Sequence, residues 1–156
     1  MNRRTILTSA TTAVVLTALP SISIAQKLDT DNVKAALDAF YAALSARDMS
    51  KMDAVWAHDA DVMLVNPRDK SVSVGWDTVK ANWEKVFGAW TELKVTRTHG
   101  PIRVSGNVAW AMGNAEVVGK SKDGAAVSFV ALNSDIFEKR GEKWLMVSHS
   151  GWRAPQ

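Results

Sequence analysis

The chain of 156 residues contains no cysteine. That absence excludes disulfides, a thiolate nucleophile, Cys-ligated zinc and iron–sulfur clusters. Tyrosine occurs once, and charged residues make up an ordinary 22% beside 47% hydrophobic ones, a balance that describes a globular chain and not a disordered one. Charge of one sign is also scarce. The formal +3 shrinks when the first 25 residues are set aside, because Arg3 and Arg4 lie there without an acid, leaving 17 basic against 16 acidic residues. A near-neutral remainder without a basic run lacks the electrostatic footprint of a nucleic-acid-binding protein. No apolar stretch reaches the roughly 20 residues of a membrane span. The best candidate, Ile6 to Leu19, is broken by Thr8, Ser9, Thr11, Thr12 and Thr17.

What that stretch does contain is an address. Arg3 and Arg4 open it, the moderately apolar run follows, and Ser23-Ile24-Ala25 ends it with a small-residue cleavage site before Gln26. Asn2-Arg3-Arg4-Thr5-Ile6-Leu7-Thr8 resembles the bacterial twin-arginine signal, which is read by a receptor that exports folded proteins. The expectation is a signal peptide over residues 1–25 and a single domain over 26–156, periplasmic or secreted. Without disulfides, such a domain rests on its hydrophobic core.

The remaining pattern reads as helices followed by strands. Asp29-Thr30-Asp31 offers N-cap oxygens ahead of Val33, Leu37, Phe40, Tyr41 and Leu44, whose three-and-four spacing predicts a helix over about residues 30 to 46. Met52, Val55 and Trp56 predict a shorter second helix, and Asp61 to Val65 a strand ended by Asn66-Pro67. Val72 and Val74 mark a short strand, after which Asp77 is positioned to cap a third helix carrying Val79, Trp83, Val86, Phe87 and Trp90. From Thr91 the period becomes two. Leu93, Val95 and Arg97 share one face, and runs over 107–120, 126–140 and 142–152 follow, joined by Lys122-Asp123-Gly124 and Arg140-Gly141. Three helices beside a four-stranded antiparallel meander define an α+β domain.

This order, with the strings Trp56-Ala57-His58-Asp59-Ala60-Asp61-Val62, Gly75-Trp76-Asp77, Ser134-Asp135-Ile136-Phe137 and Lys143-Trp144-Leu145-Met146-Val147-Ser148-His149, resembles the nuclear transport factor two-like superfamily. Within it, the chain is similar to SnoaL-like and ketosteroid-isomerase-like domains. The resemblance implies a cone: a strongly curved antiparallel sheet wrapped around about three N-terminal helices, with a pocket open at one end. It implies no particular activity, because the superfamily holds isomerases, cyclases, hydrolases, dehydratases and non-enzymatic binding and assembly domains.

Ketosteroid isomerase uses an Asp base with a Tyr and a protonated Asp as oxyanion donors, and the resemblance assigns each role a position here. The base falls on Asn66, which cannot accept and return a proton; the Tyr falls on Phe40; the buried acid falls on Asp135. Classical steroid isomerisation is therefore not expected. Tyr41 is adjacent to Phe40, but one residue turns a helix by about 100°, so it takes the tyrosine's place only if the register differs. Asp135 shares a face with Val127, Phe129, Ala131, Asn133 and Phe137, where burial would favour its neutral, hydrogen-bond-donating form. His149 lies on the last strand, by strict alternation on the face of Leu145, Val147 and Gly151 and opposite Trp144 and Met146. It is a candidate acid or base with Asp135 as its orienting partner. His58 reads as a helix-end residue and His99 as part of a turn before Gly100-Pro101.

All seven Trp residues follow residue 25, and a pocket for a flat or apolar molecule has use for several. The expected lining is Tyr41, Trp56, Trp83 and Trp110, with Asn66, Asn114, Asn133, Asp135 and His149 as polar contacts. No metal is expected, since no two histidines stand four apart on a helix, and no cofactor, since Walker, G-x-G-x-x-G and G-x-S-x-G motifs are missing. The leading expectation is a pocket binding a small apolar or aromatic ligand; the alternatives are an acid/base enzyme of isomerase, dehydratase or hydrolase type using Asp135 and His149, and a non-catalytic dimerisation or assembly domain. A homodimer is the expected oligomer, with no nucleic acid and no stable membrane span after cleavage.

Overall fold

The structure is a computed structural model that describes residues 24–98 and 100–155. The expected signal peptide lies outside these residues except for Ile24 and Ala25, and so does His99. Helix α1 runs over Ile24–Ala46 and buries Val33, Leu37, Phe40, Tyr41 and Ala43. It starts about two turns before the anticipated cap. Thr30 lies inside it, its hydroxyl donating to the Gln26 carbonyl at 2.9 Å, while Asp29 accepts from Lys139 Nζ at 2.7 Å and Trp144 Nε1 at 3.2 Å. Arg47, at φ 54°, breaks the helix. Asp48 then caps α2 (Met49–Val55) by accepting from the Lys51 N–H at 3.1 Å.

Strands β1 (Met63–Val65) and β2 (Ser73–Val74) pair with one another and flank the 66–69 turn, which the Asp69 N–H closes on the Asn66 carbonyl at 2.9 Å. Helix α3 spans Trp76–Gly88 and buries Val79, Trp83 and Phe87. Its cap is Gly75, at φ 82°, and Asp77 occupies the first turn instead. There its charge still favours the helix N-terminus. The sheet continues with β3 (Trp90–Thr98), β4 (Ile102–Ser105), β5 (Val108–Ser121), β6 (Ala126–Arg140) and β7 (Lys143–Arg153).

Neighbours in the sheet run β2-β1-β7-β6-β5-β3, with β4 also on β5. The expected meander thus gains a strand. β3 pairs with the second half of β5 and β4 with the first, so both share one edge. Gly100 lies where the chain passes from one to the other, and a Cβ there would come within 1.9 Å of the Met112 carbonyl oxygen. The sheet is mixed, because β1 pairs with β7 in parallel while the other pairings are antiparallel. The long β5 and β6 curve around the helices, leaving the sheet unclosed. No helix among the described residues is long and apolar enough to cross a membrane.

The core lies between the concave face and the helices. Phe40, Leu37, Met52, Trp83, Leu64, Phe137 and Met146 are fully buried, each contributing about 1.5–3 kcal/mol by removal from water. β5 lines this side with Ala109, Ala111 and Ala115 and turns Trp110, Met112 and Asn114 outward, as strand alternation requires. Small inner side chains leave room on the concave side.

Candidate functional site

That room is a cavity of about 310 Å³, bounded by α1, α3, the 66–69 turn and the inner faces of β3, β5, β6 and β7. Its wall is apolar along Leu44, Val86, Leu93, Val95, Val117 and Phe129, and polar at Tyr41, Asn133 and His149. Asp135 stands directly behind His149. Their pairing across β6 and β7 is in register, and His149 Nδ1 is 2.6 Å from Asp135 Oδ1 with both residues buried.

A local irregularity brings them together. Ile136 pairs with Ser148, but Phe137 pairs with Met146, leaving Val147 as the extra residue of a β-bulge. The bulge moves His149 onto the same inner face as Met146 and Trp144. Strict alternation had placed it opposite them, and Val147 is the correction. Phe40 then packs on the imidazole with ring centroids 4.9 Å apart, and Trp83 at 6.0 Å.

A carboxylate beside Nδ1 accepts a hydrogen bond from that nitrogen's N–H, so the imidazole presents Nε2 as its basic atom. A Cβ on Gly151 would lie 3.4 Å from Nε2, 3.0 Å from Asn133 Oδ1 and 3.5 Å from Pro67 Cδ. Glycine therefore leaves the approach to Nε2 open among three cavity-lining residues. Parallel pairing of Val65 with Ser150 carries Asn66 and Pro67 alongside this point.

Arg97, from β3, completes the cluster. Its Nε is 3.8 Å from Asp135 Oδ2, with side chains 2% and 0% exposed, and Nη2 donates to the Met112 carbonyl at 3.2 Å. Asp135 thus lies between a guanidinium and an imidazole, and the geometry uses it as an acceptor, not as the neutral donor that burial alone favours. The guanidinium also sits 5.8 Å from the Tyr41 ring centroid. Burial first, and then the Asp135 charge, push the Tyr41 phenol above its ordinary pKa, with Arg97 opposing. Tyr41 is accordingly a neutral hydrogen-bond donor at neutral pH.

Of the anticipated lining residues, Tyr41, Asn66, Asn133 and His149 border the cavity. Tyr41 does so without any change in helix register: Phe40 turns into the core and Tyr41 faces the space beside it. Trp56 and Trp83 are 1% and 0% exposed and belong to the core, Trp56 being held by a bridge to Met146. Trp110 is 42% exposed on the outer face, and Asn114 is on that face too, because the alanines of β5 take the inner positions. Asn66 contributes its side chain to the cavity rim, donating to Asn82 Oδ1 at 3.3 Å, while Asp69 accepts from the Asn66 N–H and Asn82 Nδ2. Asn133 Nδ2 is buried without a hydrogen-bond partner among the described residues. Sequence reasoning missed Arg97, although a charged residue on the apolar stripe of Leu93 and Val95 was its signal, and it missed Trp90, Arg68 and Lys85, which also border the cavity.

The described residues hold no group of three or more His, Cys, Asp or Glu able to ligate a metal. His58 lies away from the cavity, stacked on Trp76 at 4.5 Å.

Fold and site together define an α+β cone whose cavity wall carries a buried His–Asp pair. The chain belongs to the SnoaL-like domain family, whose model matches residues 33–151. Solved structures of the same fold include a nuclear transport factor 2-like superfamily protein from Salmonella enterica, at 13% identity and TM-score 0.77 over 83% of this chain and 94% of that one. A hexachlorocyclohexane dehydrochlorinase of type 3 from Novosphingobium barchaimii matches at 13% identity and TM-score 0.71 over 83% and 89%. A protein from Thiobacillus denitrificans, named for the association domain of a calcium/calmodulin-dependent protein kinase type II, matches at 25% identity and TM-score 0.69 over 78% and 94%. No curated protein matches the chain significantly in sequence.

Proposed function

We propose that this domain is an acid/base enzyme that moves a proton at a carbon of a small, largely apolar substrate, in a dehydratase- or isomerase-type reaction. The observation that carries this reading is the 2.6 Å His149–Asp135 contact at the wall of an open cavity. His149 Nε2 takes a proton from a substrate carbon next to a polarised group, and Asp135 stabilises the resulting imidazolium. In an elimination the C–H electron pair forms the new double bond as the leaving group departs, and the imidazolium returns its proton to a departing hydroxyl, giving water. Tyr41 and Asn133 Nδ2 are the hydrogen-bond donors for the substrate oxygen that gains negative charge. A dehydrochlorinase on the same fold supports an elimination chemistry. The alternative of simple ligand storage leaves the dyad without a task.

The test is a panel of β-hydroxy and β-halo carbonyl compounds followed by NMR in D₂O, which reads both elimination and deuterium incorporation. His149→Asn should lower the rate by about 10²–10⁴-fold while leaving the fold intact; Asp135→Asn should lower it similarly and also destabilise the domain, because Arg97 is left buried without its carboxylate. Turnover that survives His149→Asn sinks the proposal, and so does a folded wild type that binds members of the panel and transforms none.

A second reading concerns location and assembly. Residues 1–25 are proposed to direct export: α1 buries nothing before Val33, so cleavage before Gln26 spares the packed part of the helix. An intact Met1 on protein recovered from the periplasmic fraction would rule the cleavage out. The outer sheet face exposes Trp110, Met112, Val118, Val130 and Trp152, an apolar surface that favours a second copy of the chain as its cover.

A further inference from the structure

The cavity changes character with depth. Its floor is polar and buried, with His149 3% and Asn133 4% exposed. The middle is apolar and half-buried, through Leu93 and Val95. The rim carries two exposed cations, Arg68 from the 66–69 turn and Lys85 from α3, and the recess adjoining it adds Lys70.

These three cations make no salt bridge among the described residues. Asp69, the one acid on the rim, is held by the Asn66 N–H and Asn82 Nδ2. Asp123 feels the Arg68 charge but is bonded to Ser121 and the Ala125 N–H within its own hairpin. Arg68 instead lies 5.7 Å from the Trp90 ring centroid, spread across an aromatic that also lines the cavity. An apolar cavity with a base at its floor and, among the described residues, cations without salt bridges at its mouth selects a molecule with two unlike ends.

Building on the assignment of this cavity as a substrate site, we infer that its ligand is an amphiphile whose apolar body fills the middle and whose anionic end, a carboxylate or a phosphate ester, rests against Arg68 and Lys85. The end bearing the reactive C–H then points inward to His149. Orientation is fixed by charge, since the reversed pose leaves both rim cations without the anion and puts it on a buried floor that already holds the Asp135 carboxylate behind His149.

Isothermal titration calorimetry on the chain from Gln26 onward, with sodium decanoate, decyl phosphate and 1-decanol as probes, tests this directly. At low ionic strength at least one anion should bind about tenfold or more tightly than the alcohol. Whichever anion binds better identifies the head group. The advantage should disappear in the exposed-site double variant Arg68→Gln/Lys85→Gln and shrink with added salt. Decanol binding as tightly as both anions, or an anion preference that persists in the double variant, overturns the anionic end alone. If none of the three probes binds, this inference falls together with the assignment of the cavity as a substrate site.

Discussion

The two faces of the β5–β6 ribbon come from the same residues in alternation, yet they are opposite in design. Inward stand Ala109, Ala111, Ala115, Ala131, Asn133 and Asp135, small or polar and buried; outward stand Trp110, Met112, Val118 and Val130, large, apolar and 40–53% exposed. A single-layer core would reverse this order. Small inner side chains create the cavity, and the polar ones among them are tolerable because each has a partner or faces the space. The outer side chains contribute little within one molecule. Their area becomes useful only when another surface covers it.

The sharpest way to break this contrast is to remove charge from the inside. Arg97→Leu leaves Asp135 buried without its guanidinium, and loss of one partner of a buried pair costs about 3–5 kcal/mol. A denaturant midpoint that barely moves would mean the inner cluster is less dry than its 0–2% exposures imply. Next, Gly151→Ala places a methyl 3.4 Å from His149 Nε2 and 3.0 Å from Asn133 Oδ1, so the buried amide must shift, and kcat/KM should fall by about 10-fold or more through misplacement of the substrate. Unaltered kinetics would show that substrate approaches from elsewhere.

The outward residues should behave in the reverse sense. Trp110→Thr combined with Trp152→Thr is expected to convert dimer to monomer in sedimentation velocity while changing monomer stability by no more than about 0.5 kcal/mol per site. A wild type that sediments as a monomer removes the proposed interface. The smallest effect belongs to Asp29, whose carboxyl is held below its ordinary value of 3.8 chiefly by its hydrogen bond from Lys139. Because the folded pKa is the lower one, this contribution is complete above the unfolded value and fades as pH falls through the folded one. Asp29→Asn should therefore lie below wild type in urea midpoint at pH 7 and converge with it as pH falls through the lowered carboxyl pKa.

How much of this was legible in the chain depended on whether a feature was periodic. The stripe of α1 and the alternation of β5 and β6 were readable because each apolar residue recurs at its element's own spacing, and Asp135 and Asn133 inherited correct positions from that rhythm. Trp83 was misread as pocket lining because its side of α3 faces Phe40 and not the cavity, a distinction within one apolar stripe that spacing does not contain. Trp110 was misread because a large aromatic was given the inner place that Ala109 and Ala111 hold. Strand β4 was not legible, because its place beside β5 depends on the close approach of Gly100 to Met112, a tertiary contact. Arg97 was visible on the right face, but its meaning depends on a carboxylate almost forty residues away in sequence.

Val147 has a consequence that reaches past this molecule. By adding one residue to β7, it changes the parity of everything after it, so Met146 and His149 face the same way although an odd number of steps separates them. Deleting Val147 would give an unbroken ladder that still holds the imidazole inside, two steps from Met146, whereas pairing Val147 regularly within the strand would turn it out of the cavity. In a relative with a histidine on its last strand, the count back to the Trp-x-Met pair is therefore a reading frame: an odd interval combined with a bulge brings the base inside, and an odd interval in an unbroken strand leaves it facing solvent.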